Sequence, residues 1–322
     1  MIRLGVVGTS AICEKFIAAA RATNRFSLVG VCSRDAARGQ DFAAKHGFSM
    51  SFTDPSAMAK EIDAVYIASP NVCHAPQSRL FLEAGVHVLC EKPIAVSAQE
   101  YRDTKAIADR NGLIYIEAII PRHLSDREVI RQALAKIGPL SLARINYSQR
   151  SSRLDTFLAG ETPNIFNMSL HAGALMDLGI YCVYGALDLL GIPRSIEAKA
   201  HFMRDCDMAG AVTLDYGSFP ATLTYSKTGD TALGSEFIGQ NGTLRVGMIS
   251  LYSDITLIQN GQSVPLGSSL DRIARMQGEA LAFADLIEGN KNDYQVIADL
   301  TDAVHDCMDQ IKVKANITYK EK

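Results

Sequence analysis

Through the first 120 residues, short apolar runs alternate with segments whose apolar positions recur at helical spacing. Ile2–Val7, Ser27–Cys32, Asp63–Ala68, Val86–Cys90 and Leu113–Glu117 are rich in β-branched residues and apolar almost throughout. That pattern predicts strands buried on both faces of a parallel sheet. Between them, Ile12, Phe16, Ile17 and Ala20 fall on one helical face. Asp54-Pro55 reads as an N-cap followed by proline at the first helical position, and Ser97-x-x-Glu100 as a capping box. Strand, helix, strand, helix predicts a doubly wound α/β domain over residues 1–120.

Beyond residue 120 the rhythm changes. Leu140–Arg150, Ser195–Met203, Ala211–Tyr216, Ala221–Ser226 and Ser235–Ile238 are strand-like, and several follow one another through short turns. Asn241-Gly242 is a hairpin signal ahead of Thr243-Leu244-Arg245-Val246. Strands joined in this way are antiparallel, so residues 121–322 are expected to form an α+β domain on a large, mostly antiparallel sheet. Helices are expected at about Ala172–Leu190, Ile273–Glu288 and Val296–Ile311.

Composition narrows the partners. A hydrophobic share of 48%, a charged share of 21% and a net charge of −3 describe an ordinary globular chain. No basic run is present to neutralise a phosphate backbone, so a small molecule rather than nucleic acid is expected. The chain enters an apolar strand at once, and no stretch reads as a membrane span, so the cytoplasm is the expected location. Seven scattered cysteines without a C-x-x-C pair argue against disulfides and structural zinc. The histidines His46, His87, His123, His201 and His305 have no metal-like spacing, and no metal is expected.

The first strand runs into Gly8-Thr9-Ser10-Ala11-Ile12-Cys13. A glycine there permits a tight turn, and the helix that follows offers backbone N–H groups and positive dipole to a pyrophosphate. Of a G-x-G-x-x-G pattern Gly8 alone is present, with Ser10 and Cys13 at the second and third positions; the strand before and helix after it support the nucleotide-binding reading. The second strand ends at Cys32-Ser33-Arg34-Asp35. Ser33 stands where NAD-selective sites carry an acid, and Arg34 can receive a 2′-phosphate, so NADP is the expected cofactor. Asp35 holding a ribose hydroxyl, and with it NAD, is the alternative.

Val88-Leu89-Cys90-Glu91-Lys92-Pro93 ends a strand, which puts Lys92 on the crevice side of the sheet, held extended by the proline after it. Together with Ser69-Pro70-Asn71-x-x-His74, Glu117-Ala118 and Asp177-Leu178-Gly179-Ile180-Tyr181, this chain resembles the glucose–fructose oxidoreductase, inositol dehydrogenase and rhizopine-catabolism (Gfo/Idh/MocA) family over essentially its whole length. The resemblance implies a catalytic lysine at Lys92 and a catalytic pair at Asp177 and Tyr181. Tyrosine rather than histidine is similar to the dihydrodiol and xylose dehydrogenase branch, where NADP is usual. It also implies that Asn71, Glu91 and Glu117 lie near the nicotinamide and its ribose, and that the protein is a homodimer. The outer face of the second sheet, with Ala221, Leu223 and Tyr225, is expected to form the dimer contact. Ser10, Cys13 and Ile119-Ile120-Pro121 depart from the family pattern.

The chemistry fits. Oxidising an alcohol needs a base beside the nicotinamide, and a tyrosine becomes one when a nearby ammonium favours its anion. Asp177 and Tyr181, four apart on an expected helix, share a face. Tyr181 is the preferred acid/base with Lys92 as activator, and Lys92 as proton carrier is the rival; Asp177 orients a substrate hydroxyl or holds Lys92. His171 is a candidate substrate contact. The reaction class is hydride transfer to or from a sugar, polyol or cyclic diol. Alternatives are an oxidoreductase that recycles tightly bound cofactor and an NADP-sensing regulator without chemistry, the latter disfavoured by the presence together of Lys92, Asp177 and Tyr181.

Overall fold

The computed structural model describes residues 1–319. It divides into two compact units, Met1–Ile120 with Leu270–Asp302, and Pro121–Ser269 with the chain from Ala303 onward.

In the first unit β1 (Ile2–Val7), α1 (Ala11–Ala22), β2 (Phe26–Cys32), α2 (Ala36–His46), β3 (Met50–Phe52), α3 (Pro55–Ala59), β4 (Ala64–Ile67), α4 (Asn71–Glu83), β5 (His87–Glu91), α5 (Ala98–Arg110) and β6 (Tyr115–Ala118) alternate. The six strands form one parallel sheet in the order β3-β2-β1-β4-β5-β6, the doubly wound Rossmann arrangement. Leu4, Val6, Val65, Ile67, Val88 and Cys90 are buried, which accounts for the continuous apolar runs. The edge strand β3 is three half-buried residues, too short to show a period in the sequence. Asp54 caps α3 by accepting from Ser56 N (2.9 Å), and Ser97 caps α5 by accepting from Glu100 N (3.2 Å). The Glu100 carboxylate turns back to Val96 N (2.9 Å), one residue before the position that a capping box predicts.

Parallel register lines up the strand ends. Val7 pairs with Cys32 and with Ile67, Ile67 with Cys90, and Cys90 with Glu117. Gly8, Ser33, Ala68 and Glu91 therefore leave the sheet along one edge. The order reverses between β1 and β4, the switch point outside whose carboxyl ends ligands bind in open α/β sheets.

The second unit holds α6 (Asp126–Ile137), β7 (Leu140–Ser148), α7 (Leu154–Leu158), α8 (Ile180–Leu190), β8 (Ser195–Met203), β9 (Cys206–Asp215), β10 (Pro220–Ser226), β11 (Ser235–Gly239), β12 (Gly242–Met248), β13 (Ser253–Gln259) and β14 (Gln262–Leu266). The eight strands make one sheet, β14-β13-β12-β11-β7-β10-β9-β8, antiparallel except where β7 and β10 run parallel. The β13–β14 hairpin was not expected; β14 is mostly exposed and carries little apolar signal. Residues Met168–Leu190 are long and apolar enough to cross a membrane by length and composition, contrary to the expectation that no stretch is, but 83% of that apolar window is buried inside the protein. Its hydropathy is that of a core segment.

Two expectations need correction. Ala221, Leu223 and Tyr225 do not face outward: all three are buried, and the alternate residues Thr222 and Thr224 take the other face. The strand alternates as its pattern predicts but turns its apolar side inward, because a strand's period does not say which side a helix covers. A single division after residue 120 also fails. The last two helices are α9 (Arg272–Ile287) and α10 (Tyr294–Lys314), and Leu270–Asp302, with α9 and the start of α10, belongs to the first unit. There α9 packs on α1 and Phe283 stacks on Phe26 (6.4 Å), while Arg25 binds Asp285 (2.9 Å) and Glu288. Tyr101 Oη donates to Ala298 O (3.2 Å).

Candidate functional site

At the carboxyl edge of the first sheet the chain turns at Gly8, whose φ is +115° and whose N–H donates to Cys32 O (3.0 Å). A Cβ at Gly8 would stand 2.8 Å from Ala68 O and 3.3 Å from Cys13 Sγ, so this position needs glycine both for its dihedral and for space. Cys13 is buried against the turn, a side chain small enough for the close helix–strand approach that a third glycine would give. Ser10 is the N-cap of α1 but makes no side-chain cap; its hydroxyl contacts Cys13 Sγ (3.4 Å). The backbone N–H groups at Ala11 and Ile12 thus open the helix without a side-chain cap.

The chain turns again at the end of β2. Asp35 caps α2, accepting from Arg38 N (3.1 Å), and Ser33 Oγ accepts from Asp35 N (3.3 Å). Asp35 is exposed and the cap uses Oδ1, so the alternative in which Asp35 holds a ribose hydroxyl stays open. Arg34 is exposed, and Arg38, a residue the sequence reading missed, donates from Nη2 to Thr9 O (3.1 Å). The signal was available in Arg34-Asp35-Ala36-Ala37-Arg38, two arginines four apart around an N-cap.

The corner after β5 is held on several sides. Glu91 Oε1 accepts from Tyr66 Oη (2.5 Å) and Oε2 from Lys92 N (3.2 Å). His74 Nδ1 lies 2.7 Å from Pro93 O and Nε2 2.7 Å from Ser69 O, tying the corner to the end of β4. Glu117, fully buried, accepts from Ile94 N (2.8 Å). The Lys92–Pro93 peptide bond is cis. Lys92 is half-buried, Ser69 Oγ donates to Gln77 Oε1 (2.7 Å), and Pro70 and Asn71 begin α4. Burial raises the Glu91 carboxyl above its ordinary value, opposed by the Lys92 ammonium and the Tyr66 hydroxyl. Burial lowers the His74 imidazole while its two carbonyl neighbours pull the other way. Glu279 of α9 is a second carboxyl that sequence reading missed; burial pushes it well above the carboxylate range, and the charge of Glu91 adds to that.

In the second unit Asp177 lies in a π-helical turn, Leu175–Gly179, that runs into α8, and Tyr181 is the second residue of α8. The Tyr181 ring is largely buried and meets Tyr147 of β7 edge to face (5.5 Å). Asp177 Oδ2 accepts from Lys227 Nζ (2.8 Å), a lysine just past β10 that nothing in the sequence pointed to. Asp207 of β9 accepts from Leu175 N (2.7 Å); burial raises its carboxyl to about 7, opposed by the Leu175 amide and then by Lys227. His171, with φ +50°, stacks on Tyr319 (4.3 Å), and burial followed by the charge of Lys312 lowers its imidazole. Among the described residues no group of three or more His, Cys, Asp or Glu could hold a metal ion.

These residues fit a dinucleotide. The cradle at Gly8 would be filled by any Cβ, the start of α1 presents its amides, the chain after β2 offers the Ser33 hydroxyl and Arg34, and α2 adds Arg38.

Comparison with known proteins agrees. Residues 2–119 match the oxidoreductase family with NAD-binding Rossmann fold, and residues 128–245 the GFO/IDH/MocA C-terminal domain. The chain is 37% identical to the uncharacterized oxidoreductase YgjR of Escherichia coli, with 92% of each chain covered. It is 36% identical to the scyllo-inositol 2-dehydrogenase (NADP(+)) IolU of Bacillus subtilis, with 90% of each covered. The 3-ketoreductase KijD10 of Actinomadura kijaniata, solved with NADP and TDP-benzene, has the same fold, with a TM-score of 0.84 at 21% identity over 98% of both chains.

The cradle yields a direct expectation. Gly8→Ala should weaken nicotinamide cofactor binding by about tenfold or more and cost about 1–3 kcal/mol of stability, because alanine is strained at this dihedral and meets Ala68 O. Fluorescence titration with reduced cofactor and urea unfolding read the two effects; parental affinity in the variant would contradict the assignment of this turn.

Proposed function

Because the chain belongs to the Gfo/Idh/MocA oxidoreductase family, we propose that it is an NADP-dependent dehydrogenase acting on a hydroxyl or carbonyl of a sugar, polyol or cyclic diol. The observation that carries this reading is the shared carboxyl edge of the parallel sheet, where the Gly8 turn stands at the switch point and the pinned Lys92 corner follows β5, on the far side of β4. The polyol class is supported by the likeness to IolU.

A bound nicotinamide supplies the hydride acceptor or donor. The chain supplies the proton chemistry. In alcohol oxidation the hydroxyl proton passes to Tyr181, the positive charge of Lys92 favours the tyrosinate, and Asp177 orients the substrate by accepting a hydrogen bond from a neighbouring hydroxyl. Lys92 as the proton carrier itself is the alternative. Glu91, His74 and Glu117 act on Lys92 through the backbone of its corner. His171 is placed with the substrate contacts in this reading.

A second copy of the chain covers the outer face of the eight-stranded sheet. Leu142, Ile238 and Ile258 on the alternate positions are half-buried and follow one another across β7, β11 and, through Thr243 of β12, β13. Sedimentation equilibrium at micromolar protein should give twice the chain mass, and a monomer would refute the contact.

Turnover tests the chemistry. With a panel of polyols, aldoses and vicinal diols followed by nicotinamide absorbance, Lys92→Met should lose at least about a hundredfold in kcat while NADP affinity changes little. Tyr181→Phe should lose activity together with one ionisation in the pH–rate profile; an unchanged profile would transfer the proton to Lys92.

Cofactor choice is read separately. A hydrogen bond to a charged group contributes roughly 1.5–3 kcal/mol, so Arg34→Ala and Arg38→Ala should each weaken NADP by about ten- to a hundredfold and leave NAD nearly unchanged. Dissociation constants that favour NAD in the parent would defeat the reading.

A further inference from the structure

We propose that Lys227 is a positioning residue that fixes the Asp177 carboxylate, ionised and in one direction, for the substrate; this rests on the dehydrogenase reading above. The Lys227 side chain is 1% exposed and Asp177 29%. The ammonium therefore stays behind the carboxylate and acts through it. Nζ donates to Asp177 Oδ2 (2.8 Å) and to Ile165 O (3.3 Å), and lies 5.2 Å from the centroid of the Phe166 ring. Taking a lysine charge out of water costs several kcal/mol, and close anionic, carbonyl and aromatic neighbours offset it.

The turn that carries Asp177 is itself immobilised. Asp207 holds its first amide, Leu175 N (2.7 Å). Gly173, at φ +114°, lies so close to Asp207 that a Cβ would stand 1.8 Å from Oδ1, and a Cβ on Gly179 would touch the Tyr225 ring at 3.0 Å. Side chains other than glycine at these two positions would push the turn off β9 and β10. Within Leu175-Met176-Asp177-Leu178-Gly179 the aspartate is the polar member, and its neighbours in the turn are apolar and buried. A π-turn places one extra residue in the helix path, a device found mostly at functional positions. Here it sets Asp177 over Lys227.

Ionisable groups facing Lys227 include Asp177 from the π-turn and, from β9, Asp207 and Cys206. Of these Asp177 reaches solvent. A carboxylate paired with a buried ammonium stays charged into mildly acidic solution, and one oxygen held by Lys227 leaves the group a single orientation. Such a group accepts a hydrogen bond from a substrate hydroxyl without first losing orientational freedom. That suits a substrate with a second hydroxyl beside the reacting carbon, a vicinal diol or polyol.

The test is a carbon-13 NMR titration of aspartate carboxyls in the full chain, with the Asp177 signal assigned from its loss in Asp177→Asn. In Lys227→Met, Asp177 should titrate about one pH unit or more above the parent, and in Lys227→Arg close to the parent. Turnover of a responsive polyol should fall about tenfold or more in Lys227→Met, with NADP affinity unchanged, and should fall less than about threefold further when Lys227→Met is added to Asp177→Asn. An Asp177 titration identical in parent and Lys227→Met, or losses that multiply fully in the double variant, would overturn the proposal. Should Lys227→Met not fold, Lys227→Gln, which keeps a donor without the charge, is judged by the same titration. The titration needs no substrate. A parent inactive on every polyol would therefore defeat the dehydrogenase reading and leave the Lys227 result standing by itself.

Discussion

The corner from Glu91 to Ile94 depends on one physical requirement: a chain that leaves a buried parallel sheet must still pair its backbone polar groups. Three side chains meet that requirement. Glu91 accepts from Lys92 N, His74 faces Pro93 O, and the fully buried Glu117 accepts from Ile94 N. Each comes from the end of a strand or the start of a helix that register already fixes, so the corner inherits the rigidity of β4, β5 and β6. Lys92 is thereby presented at a defined place along the edge that also carries Gly8. A functional group on a loop gains the precision of a strand when its backbone is held in this way.

The second unit meets a different difficulty by different means. Its central segment, Met168–Leu190, is apolar because it is buried, and a buried apolar helix offers few groups for chemistry. Polar residues enter near its C-terminal end and at the π-turn. At one end Asp188 binds Arg127 through both its oxygens (2.5–2.9 Å), with Tyr252 Oη adding a longer contact (3.4 Å). Near the middle, at the π-turn, Asp177 is tied to Lys227, and Asp207 of β9 to Leu175 N. Buried charges of this sort cost solvation and return specificity of position rather than net stability. The π-turn lies between an anchored amide and an anchored carboxylate, which leaves Tyr181 at the head of α8 in a fixed place against Tyr147.

Local signals in the chain read well where one residue or one period carries the physics. Continuous apolar runs gave the strands of the parallel sheet, Asp54 and Ser97 are caps as their neighbours indicated, and Ser195–Met203 is a strand over the expected residues. The readings that failed depended on what lies opposite. Ala221, Leu223 and Tyr225 point inward because Gly179 and the residues around it cover that face, a fact absent from the strand's own period. The helix expected from Ala172 begins as a π-turn, whose first amide, Leu175 N, donates to Asp207 of β9.

By itself, the sequence determined the alternation of strand and helix in the first unit, the glycine turn at the head of α1, and the lysine ahead of a proline at the end of β5. These follow from interactions between residues within a turn or two of each other, where spacing is geometry. Only the tertiary structure decided that Arg38 reaches back to Thr9 and that α9 belongs with α1. The same holds for Glu117 under Ile94 and for Lys227, fifty residues on, which neutralises Asp177. Each of these joins residues far apart in the chain, by a hydrogen bond at the surface, by helix packing or by a buried polar contact. Such contacts leave no periodic trace, because their partners are chosen by where the strands and helices happen to meet.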